Sequence, residues 1–168
     1  MLPKKVEDIL NEQILREDYS SQLYLAMASW AENKGFEGIS GWLYAQAEEE
    51  RIHMLKMLRY INNRTGVAVI PGIKKPPTDF GDIFAMFDQV LAHEKFISGS
   101  INAIIAVCIA ENDFTTQNWI QWFVNEQIEE EASVKGIIDK LNLVGKNNLY
   151  IFDRDILSLR GSSTSGAQ

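Results

Sequence analysis

Four stretches of this chain carry apolar residues at helical spacing, and each has a polar, ligand-type residue in the middle of its apolar stripe. Residues three and four apart share one face of a helix, so a stripe of this kind is the face that packs inward. The first runs Val6, Leu10, Ile14, Ser21, Tyr24, Ala28, with Glu17 between Ile14 and Ser21. The second is Leu43, Ala47, Met57, Ile61, and Glu50-x-x-His53 fills the gap. Phe87, Leu91, Ile97, Ile101, Ile104 and Cys108 form the third, interrupted by Glu94. The fourth, Ile120, Phe123, Val134, Ile137, Leu141, is broken at two adjacent positions by Gln127 and Glu130. Burying one ionised carboxylate without a partner costs roughly several kcal/mol. Four helices with the same interruption point to a bundle whose buried acids share a partner.

Punctuation sets the element boundaries. Pro3 and Gly35 bracket a first helix at about 4–34, and a second follows at about 36–64, its start weakened by Gly38 and Gly41. Asp82 suits the N-cap of a third helix at 82–111; Thr115 or Thr116 is expected to cap a fourth at 115–144, stopped by Gly145. Between the second and third, Thr65 to Gly81 contains Pro71, Gly72, Pro76 and Pro77 and cannot be helical. About 16 extended residues at roughly 3.3 Å each can travel the length of a helix of about 28 residues, so the third helix can run parallel to the second. The reading is all-α: a four-helix bundle with one long crossover connection and a short fifth C-terminal helix at 148–159. Residues 1–160 form one domain, and the low-complexity run 161–168 is expected to be disordered. The fifth segment, with Leu149, Tyr150, Ile151, Phe152, Ile156, Leu157 and Leu159, is apolar on most sides and calls for burial against symmetry mates.

Composition narrows the function classes. A net charge of −7 argues against nucleic acid as a partner and suits a protein that handles cations. The single cysteine, Cys108, excludes an internal disulfide framework and reads as a small core residue. No signal peptide and no uninterrupted apolar run of about 20 residues is present, so a cytoplasmic location without a membrane partner is expected.

Glu17, Glu50, His53, Glu94, Gln127 and Glu130 would supply four carboxylates, one imidazole and one amide to one interior. Oxygen ligands with one nitrogen suit iron or manganese, and the lack of thiolates argues against structural zinc. Two cations sharing a bridging carboxylate would neutralise the buried charge, with Glu50 as the natural bridge. Di-iron carboxylate bundles take one Glu from each of two helices and Glu-x-x-His from each of the other two. Here Gln127-Ile128-Glu129-Glu130 stands where the second Glu-x-x-His would be, so the second metal position should be the weaker.

Along nearly its whole length the chain resembles the bacterial non-haem ferritins. The resemblance rests on Glu17 with Tyr24, Glu49-Glu50-x-x-His53, His93-Glu94, Trp122-x-x-x-Glu126-Gln127-x-Glu129-Glu130-Glu131, and Asp139-Lys140-Leu141. It implies that Glu17, Glu50 and His53 hold a first iron and that Glu50, Glu94 and Glu130 hold a second, with Gln127 close by. It implies a third site of Glu49, Glu126, Glu129 and Glu130, and a redox-active Tyr24 with Trp122 as its aromatic neighbour. It further implies a ferroxidase that oxidises Fe(II) with O2 or H2O2 and stores a ferric mineral. The container would be a homo-oligomeric shell of 24 subunits, with the fifth helices meeting at fourfold axes. Haem-containing relatives carry a Met just after the bridging Glu; Arg51 stands there, so no haem is expected. His93 should point off the stripe and not ligate, and Trp30, Trp42 and Trp119 read as packing or subunit-contact residues. A di-iron oxidase or peroxidase that stores nothing is the competing enzymatic reading. A DNA-protecting mini-ferritin is disfavoured by the intra-bundle ligand set and by the uncharged run after Arg160.

Overall fold

Pro3 takes an extended conformation (φ −60°, ψ 141°) and starts helix α1 (Lys4–Asn33). Its fixed φ and missing N–H cost nothing at a helix entrance. In the computed structural model, which describes residues 1–160, the chain leaves α1 through Gly35 at φ +86° and enters α2 (Glu37–Asn63). The later helices are α3 (Ile83–Ala110), α4 (Phe114–Trp119), α5 (Gln121–Val144) and α6 (Leu149–Asp155), with a 3-10 turn over Ile156–Leu159. Among the described residues there is no strand, and the all-α bundle with a short closing helix stands as expected. The expected disordered tail, 161–168, lies outside the described residues.

Three local readings are corrected. The fourth helix begins a residue earlier, and its cap is Asp113, which accepts from the Thr116 backbone N–H at 3.2 Å. Thr116 cannot serve as the cap because its hydroxyl donates to Asp113 Oδ2 at 2.5 Å. That fourth helix is also interrupted at Ile120, which divides it into α4 and α5. The closing helix is shorter than 148–159, since the chain tightens into the 3-10 turn after Asp155.

The poorly marked start of α2 has a tertiary explanation. Its cap comes from the far end of the chain: Asp153 Oδ1 accepts from the Ile39 N–H at 2.8 Å. Gly38 makes this approach possible, because a Cβ there would lie 1.7 Å from the Asp153 carbonyl oxygen. Phe152 and Ile156 are buried against the bundle, while Tyr150, Ile151 and Leu157 stay exposed. One side of the closing segment is therefore covered by its own chain and the other is not.

The crossover is an extended strap along α1. Asn11 grips it at one end, donating to Val67 O at 3.0 Å and accepting from Val69 N at 2.8 Å. At the other end Trp30 Nε1 donates to Asp79 Oδ1 at 3.2 Å. Between them the strap spans most of α1 and leaves Val67, Val69 and Ile70 exposed. Asp82 then caps α3 by accepting from Ala85 N at 2.9 Å. By length and mean hydropathy (1.2) α3 could cross a membrane, but it packs against α1 and α5 and buries Glu94 completely.

The apolar core is split in two. One cluster gathers Met27, Ala28, Trp42, Leu43, Phe87, Val90, Ile137 and Leu141 with Phe152 and Ile156. The other gathers Val6, Leu10, Ile14, Met57, Ile61, Ile101, Ile104, Cys108 and Phe123. The polar interruptions of all four stripes lie in the sequence between these two sets, and all are buried.

Candidate metal centre

Helices α1 and α2 are pinned in register beside the centre by Ser21 Oγ, which donates to Ala47 O at 2.8 Å. This brings Glu17 next to Glu50 and His53, whose ligand atoms all lie within 4.8 Å of one another. The three are 1%, 1% and 2% exposed, so no bulk solvent screens them. Glu17 Oε1 accepts from Gln13 Nε2 at 2.7 Å, whereas Glu17 Oε2 and Glu50 Oε2 are buried without a hydrogen-bond partner. His53 Nδ1 is 3.4 Å from Glu50 Oε2. Orphaned buried carboxylate oxygens are expensive, and their convergence beside an imidazole is the donor set of a cation site. The residues therefore fit a metal ion.

The α3 and α5 side is built differently. Glu94 is fully buried; Tyr24 donates its hydroxyl proton to Oε1, and Gln127 Nε2 donates to Oε2 at 3.1 Å and to the Glu94 carbonyl oxygen at 3.2 Å. Gln46 Nε2 donates to Glu130 Oε2 at 3.0 Å. Gln127 thus spends its amide N–H groups orienting Glu94.

The electrostatics follow from burial and from acids facing acids. Burial first, and the Glu50 charge next, hold the Glu17 carboxyl well above the usual range. Burial and then Glu94 do the same to Glu50. Glu94 is raised by burial, against the pull of its Tyr24 and Gln127 hydrogen bonds. Burial, with the charges of Glu94 and Glu49, pushes Glu130 up to about 8. Tyr24 is raised well above its ordinary value by burial and by Glu94 and Glu50, so it is a hydroxyl donor and not a phenolate. A cation entering this group would replace protons.

A second convergence adjoins the first. Glu49, His53 and Glu126 also offer ligand atoms that lie within 4.8 Å of one another. Of the four residues expected at a third site, Glu49 and Glu126 are brought together. Glu130 is engaged by Gln46, and Glu129 is exposed and belongs to neither convergent group. Its charge still reaches Glu126, whose carboxyl is raised by burial first.

The aromatic surroundings correct another expectation. Trp122 does not neighbour Tyr24; it packs edge-on against His53 with ring centroids 5.4 Å apart, under the Lys56 ammonium at 3.7 Å. The ring beside Tyr24 is His93, at 6.0 Å and perpendicular. His93 is in neither convergent group; its Nε2 is 2.7 Å from Ser20 Oγ, and burial lowers its pKa to about 4. Arg51, on which the expectation of no haem rests, is exposed on α2.

Several contributing residues carried readable signals that sequence reasoning passed over. Gln13 and Gln46 sit one turn before Glu17 and Glu50, polar residues on the inward stripe, where an i, i+4 neighbour can reach a shared ligand shell. Arg160, which donates to Glu49 at 2.7 Å, had no local signal at all.

Comparison with known proteins gives one answer. A family model described as "Ferritin-like domain" matches residues 7–144. A bacterial non-heme ferritin from Campylobacter jejuni is 38% identical over 161 residues, covering 95% of this chain and 96% of the relative. One from Bacteroides fragilis is 36% identical, covering 93% and 98%. Among solved structures, an open-pore ferritin from the archaeon Archaeoglobus fulgidus superposes with a TM-score of 0.90 at 38% identity, covering 95% and 98%. A humanized archaeal ferritin gives 0.91 at 35% identity, covering 99% and 100%.

Proposed function

This chain belongs to the ferritin-like family, and from that premise we propose that it is an iron-storing ferroxidase. In this reading Fe(II) is the substrate. A pair of ions binds inside each bundle, one at Glu17, Glu50 and His53 and one at Glu50, Glu94 and Glu130, with Gln127 holding Glu94 in place. Each Fe(II) gives up one electron. H2O2 takes two electrons and two protons and leaves two waters, or O2 takes two of each and leaves H2O2. Where O2 is instead carried to two waters it takes four electrons and four protons, two electrons from the iron pair, one from a further Fe(II) and one from Tyr24, whose hydroxyl proton passes to the Glu94 carboxylate it is bonded to. The ferric product moves by way of Glu49, Glu126 and Glu129 to a mineral store, and no haem takes part.

The single observation that carries this reading is the pair of orphaned oxygens, Glu17 Oε2 and Glu50 Oε2, beside His53 in a space sealed from water. Without a cation these acids are kept neutral only by protons, held at carboxyls that burial and neighbouring acids raise well above the usual range. Oligomerisation into a closed homo-oligomeric shell of 24 subunits is supported by two exposed apolar regions. These are Val67, Val69 and Ile70 on the strap, and Leu143, Tyr150, Ile151 and Leu157 at the closing end. The chain would act in the cytoplasm, without nucleic acid or membrane as partners.

Anaerobic Fe(II) titration followed by a pulse of oxidant tests the proposal. About two rapidly oxidised irons per subunit are expected, and their loss in Glu50→Ala and His53→Ala. Unchanged fast oxidation in both variants would sink it. Size-exclusion chromatography of the iron-loaded protein separates storage from a dimeric, non-storing oxidase.

A further inference from the structure

Arg160, the last described residue, reaches back to a carboxylate of the candidate third site. Its Nη2 donates to Glu49 Oε2 at 2.7 Å, and its Nη1 donates to the Trp42 carbonyl oxygen at 3.1 Å. Trp42 and Glu49 are two helical turns apart on α2, so the planar guanidinium is held at two points along one face. The pair is shielded, with side chains 25% and 19% exposed.

The closing segment carries Arg160 there. Ile156 is buried in the bundle, and Asp153 caps α2 through Ile39. Gly38 lets this segment lie flat along α2, since a Cβ there would meet the Asp153 carbonyl oxygen at 1.7 Å, while a Cβ on Gly41 would only touch Leu157 Cδ2 at 3.5 Å. What weakens α2 as an isolated helix is what lets the end of the chain reach Glu49.

Glu49 has a second claim on it, from the group it forms with His53 and Glu126. A metal ion there would draw on a carboxylate whose Oε2 Arg160 already engages, and it would sit close to a fixed positive charge. Lys56, whose charge also reaches Glu126, lies over the Trp122 ring at 3.7 Å. We infer that Arg160 is a built-in competitor for Glu49: the closing segment keeps this position weak, and an arriving cation must displace the guanidinium to use it. The inference rests on the third-site reading given above. A position that holds ions loosely passes them on toward the store, whereas a tight one would trap them between the paired centre and the mineral.

The test uses Zn(II), which does not change oxidation state, titrated calorimetrically into the metal-free full-length protein. The variants are Arg160→Gln, Arg160→Lys, Glu49→Gln and the Arg160→Gln/Glu49→Gln double. Glu49→Gln should remove one weak class of Zn(II) binding and leave the class that depends on Glu17 and Glu50. Arg160→Gln should tighten that weak class about tenfold, with no effect in the Glu49→Gln background. Arg160→Lys keeps the charge but not the two-point hold, and should fall between the wild type and Arg160→Gln. Equal affinity in wild type and Arg160→Gln overturns the inference while leaving the third site standing. A gain in Arg160→Lys equal to that in Arg160→Gln also overturns it, because loosened packing and not charge would then be the cause. If Glu49→Gln removes no class, the third-site reading itself fails and the inference falls with it.

Discussion

The two sides of the metal centre are unlike in the one respect that governs cation binding. On the α1 and α2 side, Glu17 and Glu50 each leave a buried oxygen without a partner. On the α3 and α5 side, Glu94 accepts from Tyr24 and Gln127, and Glu130 accepts from Gln46. An ion arriving at the first side meets two oxygens that no other residue engages and takes the place of protons; at the second it must share carboxylates that Tyr24, Gln127 and Gln46 already engage. On the proposed two-ion reading, the hydrogen bonds around the ligands, and not only the missing second histidine, would set the two positions apart.

The largest expected effect is on metal affinity at the two sides. His53→Ala should weaken the tighter class of Zn(II) binding by about 100-fold or more, whereas Gln127→Leu, which removes only an orienting group, should weaken the looser class by about tenfold. Equal losses of both classes in both variants, measured by calorimetry, would show the two sides to be equivalent.

Stability of the metal-free protein gives a smaller effect with opposite signs. Glu17→Gln replaces a penalised acid by a neutral isostere and should stabilise by about 1–2 kcal/mol. Glu94→Gln disturbs a fully bonded carboxylate and should destabilise by about 1–3 kcal/mol. Chemical denaturation in the presence of chelator reads both; shifts of the same sign would contradict the contrast.

The smallest effect is the pH dependence of that stability. A buried carboxyl raised from 4.5 to about 8, as Glu130 is, holds its proton in the folded chain while the unfolded chain loses it. Its contribution is therefore fully present below pH 4.5, and it declines as pH rises toward about 8. Metal-free protein should lose stability across that window, and Zn(II) affinity should rise across it as fewer protons need displacing. Glu130→Gln should flatten part of the slope in denaturation curves recorded at several pH values; an unchanged slope would remove Glu130 from the set of raised acids.

Much of the fold was legible because its signals are local and periodic. Pro3, Gly35, Asp82 and Gly145 mark helix ends through backbone conformation and capping, which depend on neighbours in sequence. The strap was legible by arithmetic, since its prolines forbid a helix and its length matches the run along α1. The cap of the fourth helix was misread because Asp113, Thr115 and Thr116 are all competent, and only the engagement of the Thr116 hydroxyl by Asp113 decides between them. The place of Trp122 was misread for a similar reason: its spacing from the ligands gives a helix face but not which ring it meets across the bundle.

The sequence alone gives the four inward stripes, the acids and the histidine that interrupt them, and hence that these buried groups need compensation. Periodicity suffices for that, because the face of a helix is set by spacing alone. Only the tertiary structure decided which carboxylate oxygens are left without partners, that Tyr24 and Gln127 both serve Glu94, and that the chain's far end caps α2 and engages Glu49. Those outcomes depend on helix register and on contacts between residues more than 30 positions apart in sequence. No local pattern encodes a distance of that kind.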